Sequence, residues 1–223
     1  MSSPTITVVR NEVDPGCEYH CDALARVVSD AAADARAVDY PAGERPVLEE
    51  TDGVIITGST AGVYEVDDRP WIADQKRLIR ELVDREIPTL GVCFGHQIAN
   101  AALGGTVEQA ETAARPVDAD LADEPLFDGV SSVVPVAHGD VVTEPGDRMD
   151  AIASADYYPA FATRYRTAPL WTVQFHPEFT AALRERLEAD FGWTEAERGF
   201  DDVNATRVVE NFASIVDDAT APK

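Results

Sequence analysis

Three short apolar runs, each opened by proline or glycine and each followed by a stretch with helical spacing, leave this chain few folds to choose from. They are TITVVR (Thr5 to Arg10), GVIITG (Gly53 to Gly58) and PTLGVC (Pro88 to Cys93). Runs this short, rich in β-branched residues and bounded by turn formers, read as buried strands. Between them, Glu18 to Asp30 carries a helical pattern, and ARAVDY (Ala35 to Tyr40) is a weaker strand signal followed by the loop PAGERP. In VDDRPWIADQKRLIRELVDRE the residues Trp71, Ile72, Leu78, Ile79, Leu82 and Val83 recur on one helical face. Asp67 or Asp68 is expected to cap this helix, with Pro70 in its first turn. GHQIANAAL then reads as a helix stopped by Gly104-Gly105. Strand–helix alternation with short connections predicts an α/β fold: an open, mostly parallel, flavodoxin-like sheet with helices on both faces.

The second half differs. TVEQA, SVVPVAH, AIASADYYPAFATRY and LWTVQFH, between Thr106 and His176, are strand-like and predict additional β-strands. Two helical segments close the chain, the later one from Asp201 to Asp218 aligning Val208, Val209, Phe212, Ile215 and Val216. No repeat, low-complexity linker or composition shift marks a boundary, so residues 1–223 are expected to form a single domain.

Charge narrows the partners. Forty-one acidic residues face eighteen basic ones, a net charge of −23, and only Lys76 and Lys223 are lysines. Such a chain repels nucleic acid and anionic membrane, so neither is expected as a partner. The acids are scattered rather than gathered in a tail, which favours a halophilic protein bathed in molar salt, where charge is screened within about 3 Å. No apolar run approaches the roughly 20 residues of a membrane span, and MSSPTITVVR lacks the charged and apolar regions of a signal. Cys17, Cys21 and Cys93 are too few and too odd for a disulfide framework. A soluble, cytoplasmic protein is expected.

Cys93 ends a strand and precedes a helix, with Gly91 and Gly95 two residues to either side. In an open parallel sheet chemistry gathers at the carboxyl ends of strands. Glycines flanking a strand-to-helix turn let the backbone bend sharply and expose the side chain between them, as in a nucleophile elbow. The helix N-terminus favours a negative charge there. A tight turn around a core thiol is the competing reading, and the presence of a base decides between them.

There are four histidines. His20 lies beside Cys17 and Cys21, but no second ligand pair makes a metal cluster of them, so it reads as a bystander. His96 follows Cys93 on the same helix and reads as local packing. His138 (VAHGDVV) and His176 (VQFHPEF) each have an acid two residues on, Asp140 and Glu178. In an extended segment such pairs share one side, so the acid can orient the imidazole towards a nucleophile. Pattern alone does not choose between them. His176 is favoured because Pro177 stiffens its segment.

Together GVCFGHQ and VQFHPE, some eighty residues apart, resemble the class I (triad) glutamine amidotransferases, the glutaminase module of GMP synthase and its relatives. The resemblance extends in order through GVIITGST, the long helix, DEPLFDGV and AHGDVV, and GVIITGSTAGVYEVDDRPWI is most similar to stand-alone GMP-synthase-like members. It implies that Cys93 is the nucleophile, His176 the general base and acid, and Glu178 the orienting carboxylate. It implies further that Phe94 and the Gly58-Ser59 turn line the oxyanion hole, and that Gln97, His138, Gly139 and Asp140 shape the glutamine pocket. GMP synthases commonly read Gly-Gly-Pro where this chain reads Gly58-Ser59-Thr60, which leaves open which amide of the turn serves. No metal and no cofactor are implied. No phosphate-binding glycine loop occurs, so the ATP-dependent synthetase that would accept ammonia is expected on a separate polypeptide. A self-sufficient hydrolase of γ-glutamyl amides or peptides, and a non-catalytic regulatory or binding protein on the same fold, are the alternatives.

Overall fold

The computed structural model describes residues 3–31 and 33–221. Among these, nine strands form one sheet in the order β2-β1-β3-β4-β9-β8-β7-β5-β6. The first is β1 (Thr5–Arg10), parallel to both β2 (Asp34–Asp39) and β3 (Gly53–Ile56). Next come β4 (Thr89–Val92) and β9 (Leu170–Val173), which continue the parallel half. From β9 outward the sheet turns antiparallel through β8 (Tyr158–Tyr165), β7 (Met149–Ala155), β5 (Thr106–Leu121) and β6 (Val133–Glu144). The sheet is therefore mixed, parallel in one half and antiparallel in the other.

The period-2 alternation of the strands feeds two cores. Ile6 and Val8 of β1, Ile55 of β3, and Leu90 and Val92 of β4 face α1 (Tyr19–Asp30) and α5 (Arg207–Thr220), meeting Leu24, Val28, Val208 and Phe212. Val9, Val54 and Ile56 face the other way, onto α2 (Trp71–Asp84) and α3 (Phe94–Ala102), and pack with Ile72, Ile79 and Ile98. β2 is a largely exposed edge strand carrying Asp34, Arg36 and Asp39, charges that discourage a further strand from pairing there. Its exposure explains the weak sequence signal.

Several local expectations are corrected. Asp67 and Asp68 do not cap α2; Pro70 occupies the cap position with φ −58°, and its ring presets the helical turn without a side-chain bond. The strand-like stretch AIASADYYPAFATRY forms the β7–β8 hairpin, turning at Asp156-Tyr157. β5 runs eleven residues beyond TVEQA, to Leu121, with a register shift between Gln109 and Ala113. Between Phe191, which ends α4 (Arg184–Phe191), and Arg207 there is only one short helical turn, Phe200–Asp202, so α5 begins well after Asp201. Ile215 is only partly buried; Ala213 takes its place beside Val209 and Val216. No helix among the described residues is long and apolar enough to cross a membrane.

Candidate active site

Cys93 stands alone between β4 and α3, with φ 53° and ψ −104°. A non-glycine residue held at positive φ costs on the order of 1–3 kcal/mol and persists only where its surroundings overdetermine it. Here its N–H donates to Val173 O at 2.9 Å. The flanking glycines permit close approach: a Cβ on Gly91 would lie 2.5 Å from Gly95 O, and one on Gly95 would collide with the Ile56 carbonyl. The thiol, 5% exposed, accepts from Gln174 Nε2 at 3.4 Å and lies 3.7 Å from Ala137 O.

Past β9 the chain turns. His176 N–H donates to Pro135 O at 2.8 Å, and Phe179 N–H donates back to His176 O at 3.2 Å. The HPE segment is thus a turn rather than extended, and it is the turn that folds the carboxylate onto its own imidazole. His176 Nδ1 donates to Glu178 Oε1 at 2.7 Å, and its ring stacks on Phe179 at 4.1 Å and 5°. Burial alone would lower the His176 pKa, but the Glu178 carboxylate and Cys93 override it and raise it to about 10. His176 Nε2 has no hydrogen-bond acceptor among the described residues. A Cβ on Gly58 would meet His176 Cε1 at 3.1 Å, His20 Cε1 at 3.5 Å and Cys93 Cβ at 3.6 Å, so these three side chains converge on one glycine.

In the turn after β3, Thr60 N–H is occupied by the Glu12 carboxylate, at 3.1 and 3.3 Å. Ser59 Oγ donates to Asn11 O at 2.7 Å and accepts from Ala61 N–H at 3.1 Å. The Phe94 ring is buried against Trp71.

Cys93, His176, Ser59, Gln97, His138, Gly139 and Asp140 line one cavity of about 430 Å³, within the usual range of ligand pockets. Gln97 is no surface residue: its Nε2 donates to Asp140 O at 3.2 Å and to Gln174 Oε1 at 3.3 Å. The expected pairing of His138 with the Asp140 carboxylate is absent. His138 Nδ1 donates instead to the Asp140 backbone carbonyl at 3.0 Å, which leaves Nε2 to accept from Tyr157 OH at 2.9 Å. Burial pushes this imidazole down to about 4, so it stays neutral. Asp140 Oδ1 accepts from Tyr64 OH at 3.4 Å, and burial raises its pKa. His96 lies in the core between Thr172 Oγ1 at 2.7 Å and Tyr158 OH at 2.8 Å, with its pKa lowered to about 3 by burial.

Glu12 is not singled out by pattern and His20 reads there as a bystander, yet both line the cavity, joined by a 2.8 Å contact between Glu12 Oε2 and His20 Nε2. Cys21 Sγ, beside them, lies 3.7 Å from His20 Nδ1 and 3.4 Å from Thr57 Oγ1. The signal for Glu12 was its place: it follows β1 as Gly58 follows β3, Cys93 follows β4 and His176 follows β9, all at carboxyl ends of parallel strands.

Known proteins fall in with this geometry. The model of the glutamine amidotransferase class-I family matches residues 21–192, a stretch containing Cys93, His176 and Glu178. The chain belongs to the class I glutamine amidotransferase family. It is 34% identical over 137 residues to a glutamine-hydrolyzing GMP synthase subunit of Methanopyrus kandleri, covering 59% of this chain and 69% of that one. To the glutamine-hydrolyzing GMP synthase of Finegoldia magna it is 29% identical over 197 residues, 82% of this chain but 37% of the relative. The chain thus spans little more than a third of that longer enzyme. A solved glutamine amidotransferase from Thermotoga maritima shares the fold, with a TM-score of 0.73 at 20% identity over 97% of this chain and 99% of that one. A second, from Methylobacillus flagellatus, does so at a TM-score of 0.73 and 16% identity, covering 100% of this chain and 97% of that one.

Proposed function

We propose that this chain hydrolyses glutamine to glutamate and ammonia through a Cys93 thioester, and that residues 1–223 act as one glutaminase domain supplying ammonia to a separate ATP-dependent synthetase. The observation that carries the reading is His176: one ring nitrogen is held by Glu178 at 2.7 Å while the other, buried and without an acceptor among the described residues, shares the Gly58 corner with Cys93. Sγ passes its proton to His176 and attacks the side-chain carbonyl carbon of glutamine. The tetrahedral oxyanion is met by the N–H of Phe94 and by that of Gly58 or Ser59, since Thr60 N–H is spent on Glu12. His176, carrying the proton received from Sγ, gives it to the departing ammonia, then draws one from the water that cleaves the thioester to glutamate. Glu178 holds the ring and stabilises its cation. Gln97 and the His138–Asp140 segment, which line the same cavity, receive the amino-acid end of the substrate.

The synthetase partner rests on the likeness to the GMP synthase subunit of Methanopyrus kandleri. The scattered acidic surface supports work in a cytoplasm of high salt. The test is glutamate and ammonia release from glutamine by the purified chain in molar salt. Equimolar release supports the reading; release from γ-glutamyl peptides but not from glutamine moves the assignment to a γ-glutamyl hydrolase.

A further inference from the structure

Behind the proposed triad lies a second charged pair. Glu12, in the loop after β1, accepts from the N–H groups of Val13 and Asp14 at 2.8 Å each, and from Thr60 through both N–H and Oγ1, the latter at 2.5 Å. It therefore ties the loop after β1 to the turn that carries Gly58 and Ser59. Its other contact, His20, leads from α1 to the triad: His20 Nδ1 lies 3.9 Å from Glu178 Oε1 and 3.7 Å from Cys21 Sγ. The His20 ring meets that of His176 edge-on at 6.1 Å. Glu178 is 1% exposed, and its Oε2 has no hydrogen-bond partner among the described residues. A buried carboxylate left half satisfied is costly unless an opposite charge stands close. Burial alone would lower the His20 pKa, but Cys21, Glu12 and Glu178 together hold it well above the usual histidine value.

We propose that Glu12 and His20 are positioning residues, forming an alternating chain of charge, Glu12–His20–Glu178–His176, that fixes the orienting carboxylate and the oxyanion turn as one unit. The proposal rests on the glutaminase reading, and the sequence signal for it was absent because the four residues come from three separate segments. A core role alone would make Glu12 and His20 matter for stability and nothing else.

The test is a mutant cycle on glutamate release. His20→Gln and Glu12→Gln should each lower kcat about ten- to a hundredfold, the scale of a lost charge-assisted hydrogen bond, with KM within about threefold of wild type. In a Glu178→Gln background the same substitutions should cost less than about twofold, because the unit is already broken. Losses that multiply in that background, or that fall on KM alone, overturn the proposal. If the wild-type chain releases no glutamate, the functional reading fails by itself, and the coupling is read in the resting protein instead. His20→Gln should then shift the imidazole ¹⁵N resonances of His176, and unmoved resonances overturn it.

Discussion

Within a single turn, His176 Nδ1 reaches Glu178 Oε1 at 2.7 Å while Phe179 seals the face of the ring at 4.1 Å. The contact fixes both the tautomer and the direction in which Nε2 points. On the proposed mechanism, replacing His176 by Ala removes the acid and the base together, and glutamate release should fall by about 10⁴-fold or more. Glu178→Gln keeps the shape and loses the charge, so its loss should be the smaller of the two. Steady-state kcat for both variants checks the order, and a reversed order contradicts the orienting role.

The same contact sets a pH dependence. Burial would lower the His176 pKa from its ordinary 6.5, but Glu178 and Cys93 outweigh it and bring the titration to about 10. A raised histidine stabilises the fold fully below its unfolded value, and that contribution is lost as pH rises through the folded value. The alkaline limb of kcat/KM should therefore lie near pH 10, and the thermal midpoint should fall as pH rises from about 6.5 to about 10 and level off above it. In Glu178→Gln the limb should move to lower pH, since the carboxylate that raises the imidazole is gone. A pH–rate profile of the two proteins measures the shift.

Gly95 is a steric requirement. Its Cα faces the Ile56 carbonyl with no room for a methyl group. Gly95→Ala should cost about 1–3 kcal/mol by denaturant unfolding and lower activity by displacing the elbow against β3. A variant as stable and active as wild type would show that the elbow is looser than this packing implies.

Salt is the next lever. The ion pairs of this chain are mostly exposed, such as Arg36–Glu50 and Arg166–Asp150, and such pairs contribute little. They leave a net charge of −23 repelling itself. The thermal midpoint should climb steadily from dilute buffer to molar KCl, by about 2–4 °C for each kcal/mol of repulsion screened. A midpoint insensitive to salt would contradict the halophilic reading.

The strands of the parallel half were legible because burial on both faces leaves apolar, β-branched runs; β1 is found at the predicted bounds, Thr5 to Arg10. The elbow was legible because Gly91 and Gly95 answer a local steric demand. What pattern could not reach depends on contacts between distant segments. His138 and His176 carry the same acid spacing, yet one meets a backbone carbonyl and the other a carboxylate. The difference arises because His138 lies within β6 whereas His176 enters a turn. Glu12 is marked only by its place after β1 and His20 reads as a bystander, since neither the spacing nor the charge of NEVDPGCEYH shows that it will meet Thr60 and Glu178.

The most direct measurement is glutamate release by Cys93→Ala beside wild type, in molar salt, with thermal melting as the control. The variant should melt within a few degrees of wild type, because a thiol in a strained turn contributes little to the core. Its glutamate release should fall to background. Near-native release by a folded Cys93→Ala protein would remove the nucleophile, and with it the mechanism built on the elbow.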